Sequence, residues 1–157
     1  MNSLTVHVLE KSRKIIATTN GARMINFDTR LNQHMTETQK SINSEELAAF
    51  IIEGIREKKG HDIVRIDLRN IHNAISDFFV ICHANSDRQV DAIATSIDET
   101  VRKHTGDRPN TIEGRQNAEW VLMDYVDVVV HVFQEKLRHL YALEDLWADA
   151  AVEQMHD

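Results

Sequence analysis

Cysteine, proline and glycine are scarce in this chain: one, one and five among 157 residues. The single Cys82 leaves no intramolecular disulfide and no multi-cysteine zinc site. So little glycine and proline excludes collagen-like, low-complexity and linker-rich designs. No apolar run approaches the roughly 20 residues a membrane helix needs, and the first residues lack the apolar core of a signal peptide. A reducing cytoplasm is the compartment to expect. Glycine-rich phosphate loops are missing as well: beyond position 40 the glycines are Gly54, Gly60, Gly106 and Gly114, far apart. What is present is globular, with 42% hydrophobic and 27% charged residues in a length suited to one domain.

The net charge of −7 is unevenly spread. Residues 1–40 hold six basic and three acidic side chains, residues 41–157 hold 12 and 22, and residues 113–157 hold three and ten. Such an acidic body repels phosphate backbones within the screening length, so dominant direct nucleic-acid binding is disfavoured and a basic protein partner is favoured. The plainer reading is that the charge serves solubility.

Residues 1–40 show no sustained period and read as an extension, poorly ordered in its later half, with Met35 a candidate biological start. Regular structure begins at Asn43, where Asn43 and Glu46 fit a capping box. Leu47, Phe50, Ile51 and Ile55 follow helical spacing up to Lys58, Lys59 and Gly60. Val64, Ile66 and Leu68 alternate with Arg65 and Asp67 as in a half-exposed strand, and Phe78–Cys82 reads as a strand covered on both faces. Ser86 and Gln89 suggest a second capping box, opening a helix with its stripe at Val90, Ile93, Ala94, Ile97 and Val101 and its end at Gly106 and Pro109. Together with Thr111–Glu113 this is βαβ material. Glu119–Asp124 and Asp127–Phe133 should pair antiparallel, and a helix from about Glu135 to Ala151 should close the chain with Leu137, Leu140, Tyr141 and Trp147 inward. The expected architecture is α/β: a single domain over 41–157, with one mixed sheet of about five strands and helices packed on it.

Few residues offer chemistry. Cys82 ends an apolar strand and reads as inert packing. No serine sits in a nucleophile elbow. The histidines lack the i, i+4 spacing of a helical zinc site, and His131, inside a strand, reads as a core residue. No metal and no cofactor is expected. Asp77, Asp124 and Asp127 lie at strand ends, where α/β proteins place function. A two-metal site needs converging carboxylates, however, and Asp124 and Asp127 flank a turn that makes them diverge. The unusual stretch is EGRQNAEWVLMDYVDVVVHVF, from Glu113 to Phe133. Trp120, Leu122 and Asp124 share one strand face, and Val121, Met123 and Tyr125 the other. Either Trp120 or Tyr125 is then exposed beside Glu113, Glu119 and Asp124, as a hot spot for a basic partner, or Trp120 fills the core and Tyr125 caps a turn.

At these residues the chain resembles the ribosomal silencing factor family (RsfS, also called Iojap or DUF143). The matching pattern is Ser76-Asp77-Phe78-Phe79-Val80-Ile81, Ser86, Gln89-Val90, Glu113-Gly114, Trp120 to Tyr125, Asp127 to Phe133, and Arg138, Tyr141, Leu143-Glu144 and Leu146-Trp147. It covers about Leu47 to Ala150 and none of the extension. The resemblance implies a nucleotidyltransferase-like topology without that fold's active-site motif, and a translation regulator rather than an enzyme. It further implies binding to the large ribosomal subunit through ribosomal protein L-fourteen, blocking subunit joining. Organellar relatives are linked to large-subunit assembly, and a homodimer stays open. Carried over by position, the partner-binding candidates are Asp77, Glu113, Trp120, Asp124, Tyr125 and Asp127. Val126 departs from the small residue the family usually has there, and a β-branched side chain resists positive φ.

Overall fold

Asn43 caps the first helix among the described residues, as its side chain suggests. Its Oδ1 accepts the Glu46 N–H at 2.8 Å and the Glu46 carboxylate accepts the Asn43 N–H at 3.4 Å, closing the capping box of helix α1, Ser44–Glu57. The computed structural model describes residues 42–72 and 74–156. The expected extension over residues 1–40, and Met35 with it, lies outside the described residues.

Strands β1 (His61–Asp67) and β2 (Phe78–Ala84) follow, then helix α2 (Asp87–Thr105). The second capping box forms only by half. Ser86 Oγ accepts the Gln89 N–H at 3.2 Å, but the Gln89 side chain turns to the Asn85 N–H and to the carbonyls of Lys58 and Lys59. It thus ties the end of α1 to the start of α2. The two helices also touch at Gly54, where a Cβ would stand 2.8 Å from the Ile97 Cα. Gly106 ends α2 in the left-handed conformation, φ 78°, and its N–H caps the Arg102 carbonyl.

Strands β3 (Thr111–Glu113), β4 (Trp120–Asp124) and β5 (Val128–Gln134) complete the centre of a six-stranded sheet in the order β3-β4-β5-β2-β1-β6. β4 and β5 are the expected antiparallel hairpin, with Trp120 opposite Phe133 and Asp124 opposite Val129. The direct parallel partner of β2 is β5. β3 runs in the direction of β2, as a βαβ unit requires, but β5 and β4 lie between them.

The end of the chain departs from expectation. Instead of one helix to Ala151, helix α3 stops at Tyr141, Ala142 turns left-handed (φ 41°), Leu143–Trp147 forms a 3₁₀ turn and Ala151–Gln154 becomes strand β6 on the free edge of β1. Pairing with β1 outweighs the helical pattern. Arg138 drives the turn: its guanidinium, buried on α3, reaches Glu144 at 2.8 Å, which brings the chain back on itself. Leu137, Tyr141 and Trp147 pack inward, whereas Leu140 is 69% exposed.

Both sheet faces are dry. On one, Phe78, Val80, Val121 and Met123 meet Ile51, Ile55, Ile93 and Ile97 of α1 and α2. On the other, Ile66, Phe79, Trp120 and Leu122 lie under the short carboxy-terminal elements.

Candidate docking surface

Because β2 and β5 start side by side, the residues before them meet. The Asp127 carbonyl accepts the N–H groups of Asp77 (2.8 Å) and Phe78 (3.2 Å). β4 ends at this same side, so Asp77, Asp124 and Asp127 share one end of the sheet. Glu113 is not with them: it sits in the outer strand β3 opposite Leu122, two residues from the pair that includes Asp124.

The hairpin joining β4 to β5 is strained. Tyr125 N–H donates to the Val128 carbonyl at 2.9 Å, and Asp127 N–H to the Tyr125 carbonyl at 2.9 Å. The latter bond spans a single residue, Val126, whose φ is 72°, the geometry of the uncommon strained γ-turn. Asp124 Oδ1 accepts the Val126 N–H at 2.7 Å and steadies the loop. A β-branched residue in this conformation stores about 1–3 kcal/mol, and backbone strain of this kind clusters at functional sites. The Val126 side chain is 61% exposed. Among the described residues no cation lies within ion-pair distance of Asp77, Asp124 or Asp127. Asp67, by contrast, is occupied: hydrogen bonds from Arg69 hold its carboxyl below the usual range.

The expected exposed aromatic is overturned. Trp120 and Tyr125 are 6% and 7% exposed. Trp120 stacks on Phe133 with centroids 4.6 Å apart, lies beneath Tyr141, and donates its Nε1–H to His131 Nδ1 at 3.2 Å. Tyr125 faces the helices, where burial and then the Asp98 carboxylate raise its phenol. Its hydroxyl and Asp98 Oδ1 have no hydrogen-bond partner among the described residues. Strand β4 buries both faces because both sheet faces are covered, one by helices and the other by α3 and the 3₁₀ turn. The exposed apolar group at this end is Val126, which sequence reasoning met only as a backbone oddity.

The remaining candidates for chemistry are quiet. Burial pushes the Cys82 thiol up to about 12 and the His131 imidazole down to about 3. No cluster of three or more His, Cys, Asp or Glu among the described residues is arranged for a metal ion. At the opposite end of the sheet a groove of about 810 Å³ is lined by Asp62, His83, Arg138, Glu144 and Val152. Its guanidinium is committed: Arg138 bonds the Asp62 carbonyl at 2.6 Å, His83 Nδ1 at 3.0 Å and Glu144 at 2.7 Å. That buried network carried no periodic signal in the sequence. No helix among the described residues is long and apolar enough to cross a membrane.

The described residues thus form a mixed α/β domain with an acidic, strained hairpin end. The model of the family described as "Ribosomal silencing factor during starvation" matches residues 41–157, and the chain belongs to that family. Ribosomal silencing factors of Halalkalibacterium halodurans and Bacillus subtilis are 40% and 45% identical over 109 and 94 residues, which cover 69% and 60% of this chain and 92% and 78% of theirs. The chloroplastic Iojap protein of Zea mays is 35% identical over 79 residues, 46% of this chain and 31% of that one. A crystal structure of a Chromobacterium violaceum protein superposes with a TM-score of 0.64 at 33% identity, covering 68% of this chain and 88% of the other. One from Bacillus halodurans gives 0.60 at 37% identity, covering 71% and 99%. The fold is thus that of the family, whose role is ribosome-associated silencing of translation.

Proposed function

We propose that this chain binds the large ribosomal subunit through ribosomal protein L-fourteen and blocks joining of the small subunit by occupying its place, repressing initiation in the cytoplasm. The observation that carries the docking site is the sheet end shared by Asp77, Asp124 and Asp127, with no cation in ion-pair distance among the described residues, and by the exposed Val126. An exposed apolar side chain at an acidic sheet end suits a basic protein surface, and the surrounding rRNA phosphates orient the acidic body by repulsion. Steric blockade needs affinity and bulk and no reactive group, so the role calls for no catalysis, metal or cofactor. Glu113, further along the edge strand, extends the acidic rim; Trp120 and Tyr125 support it from inside.

Sedimentation with separated ribosomal subunits tests this reading. The chain should travel with the large subunit alone, and premixing should reduce association of the two subunits. Absence from the large-subunit fraction would defeat the proposal. The competing reading, a nucleotide-binding protein on a nucleotidyltransferase-like fold, requires ATP with magnesium to raise the melting midpoint by mass action. Asp124 argues against it, since its carboxylate is engaged in the hairpin.

A further inference from the structure

We propose that His83 and Arg138 form an acid-operated latch: a proton on the His83 imidazole expels the Arg138 guanidinium and frees α3 and the 3₁₀ turn, residues 135–150, from a sheet that stays folded. The latch is closed in the structure. Arg138 Nη1–H donates to His83 Nδ1 at 3.0 Å and, from the same nitrogen, to the Asp62 carbonyl at 2.6 Å. A guanidinium cannot accept a hydrogen bond, so His83 is neutral, with its proton on Nε2, 3.8 Å from Asp62 Oδ2. His83 and Arg138 are only 5% and 7% exposed. A proton on Nδ1 removes the acceptor and sets two cations against each other out of water.

The groups around His83 decide the sign. Among the described residues, β1 presents His61, its ring centroid 5.6 Å away, and Asp62; α3 presents Glu135, Arg138 and His139, the last with its centroid at 6.5 Å. Glu144 of the 3₁₀ turn stands behind Arg138, and His156, past β6, lines the same groove. β5 adds the uncharged Phe133 beside His83, and α1 and α2 pack on the other face of β2. Asp62 and Glu135 favour the protonated ring, but the Asp62 side chain is 72% exposed and screened by water. Burial and then Arg138 outweigh them and hold the imidazole below its usual value. Arg138 is the partner that moves. His83 sits in a strand paired on both sides, whereas α3 has seven residues, no side-chain cap at Gln134, and an end at the left-handed Ala142. The 3₁₀ turn also lacks a side-chain cap. Helices this short do not persist in water once undocked. Beyond them β6 stays on β1, and Arg56 of α1 holds the His156 carbonyl at 2.6 Å, so the segment opens between two fixed ends.

Amide hydrogen exchange of the full chain at pH 7 and pH 5, corrected for its intrinsic pH dependence, tests this. A ring that binds its proton more weakly in the closed state holds the latch fully above about pH 6.5 and weakens it as the pH falls. Over this range carboxylates of ordinary pKa, about 4, stay charged. The reporters are the amides of Ala142, Asp145 and Ala150, bonded to the carbonyls of Arg138, Ala142 and Trp147. Their protection should fall about tenfold at pH 5, with a shallower dependence on dilute urea than that of the β5 amides, as a local opening requires. His83→Asn offers Arg138 an accepting oxygen that takes up no proton, and it should abolish the fall. A triple variant with asparagine at the exposed His61, His139 and His156 should keep it. The proposal is overturned if the wild type shows no fall, if His83→Asn falls as far, or if the triple variant loses the response. It is equally overturned if the reporters and β5 share one urea dependence, since the whole domain would then be opening.

Discussion

Trp120 and His131 meet diagonally across the β4–β5 hairpin, the indole Nε1–H donating to the imidazole Nδ1 at 3.2 Å inside the core. An imidazole that accepts at Nδ1 is neutral and carries its proton on Nε2, and that atom has no partner among the described residues. Protonation would break the bond to Trp120 and bury a charge, which is why burial holds this histidine down to about 3.

Acid should therefore destabilise the fold through His131. Its folded pKa lies below its unfolded value, so the contribution is fully present above about pH 6.5 and lost as the pH falls toward 3. The gap corresponds to about 4–5 kcal/mol at the acid end. His83, lowered by burial and then by Arg138, acts with the same sign. Urea melts between pH 7 and 4 should show a falling midpoint, and His131→Phe should flatten that slope while costing about 1 kcal/mol at neutral pH for the unpaired indole. An unchanged slope in the variant would assign the acid sensitivity to other groups.

Truncating the two buried aromatics should unfold rather than unbind. Trp120→Ala and Tyr125→Ala each cost about 3–5 kcal/mol, read as an early thermal midpoint. Trp120→Phe keeps the stack on Phe133 and loses one hydrogen bond, for about 1 kcal/mol. Either alanine variant melting like the wild type would show that its side chain does not hold the core.

The hairpin tip offers the opposite signature. Val126→Gly releases a positive-φ strain and should stabilise the fold by up to about 1 kcal/mol, net of the entropy glycine adds to the unfolded chain. The same variant removes the exposed knob and should weaken co-sedimentation with the large subunit. Asp77→Lys and Asp127→Lys should weaken it further without lowering the melting midpoint, and wild-type binding should fall as salt rises. Binding indifferent to all three substitutions and to salt would move the interface away from this end of the sheet.

The legible parts of this fold were the periodic ones. Val64, Ile66 and Leu68 alternate and bury one face, and Phe78–Cys82 is apolar throughout and buried on both. Asn43 and Glu46 name their helix start by the chemistry of two side chains. The failures came where a distant partner decides the outcome. Leu140 has helical spacing, yet Arg138 folds the chain back through Glu144, and Val152 and its neighbours join β1 across nearly ninety residues of sequence. At the candidate site the strand-end positions of Asp77 and Asp127 were legible, but the parallel pairing of β2 with β5 that brings them together carried no local signal. Exposure was the illegible quantity: alternation tells which residues share a face of β4 but not whether a second layer covers it. Here both faces are covered, and the exposed apolar residue is the one in the turn.

Arg138 should be the anchor of the whole carboxy-terminal segment. It is 7% exposed and holds three elements together: the Asp62 carbonyl of β1, His83 of β2, and Glu144 of the 3₁₀ turn. Arg138→Ala leaves the Glu144 carboxylate half-buried without its cation and the Asp62 carbonyl without this donor, a loss of about 3–5 kcal/mol for a buried pair broken on one side. Arg138→Met with Glu144→Leu replaces both charges by apolar groups of similar size and should recover most of it. The weakening should be local before it is global, because α3, the 3₁₀ turn and β6 are short and meet the sheet through few buried side chains. Limited proteolysis of Arg138→Ala should first cut between Tyr141 and Ala151 while Ser44–Gln134 stays intact. First cuts elsewhere, with the carboxy-terminal segment still protected, would mean that Tyr141 and Trp147 rather than the guanidinium hold that segment to the sheet.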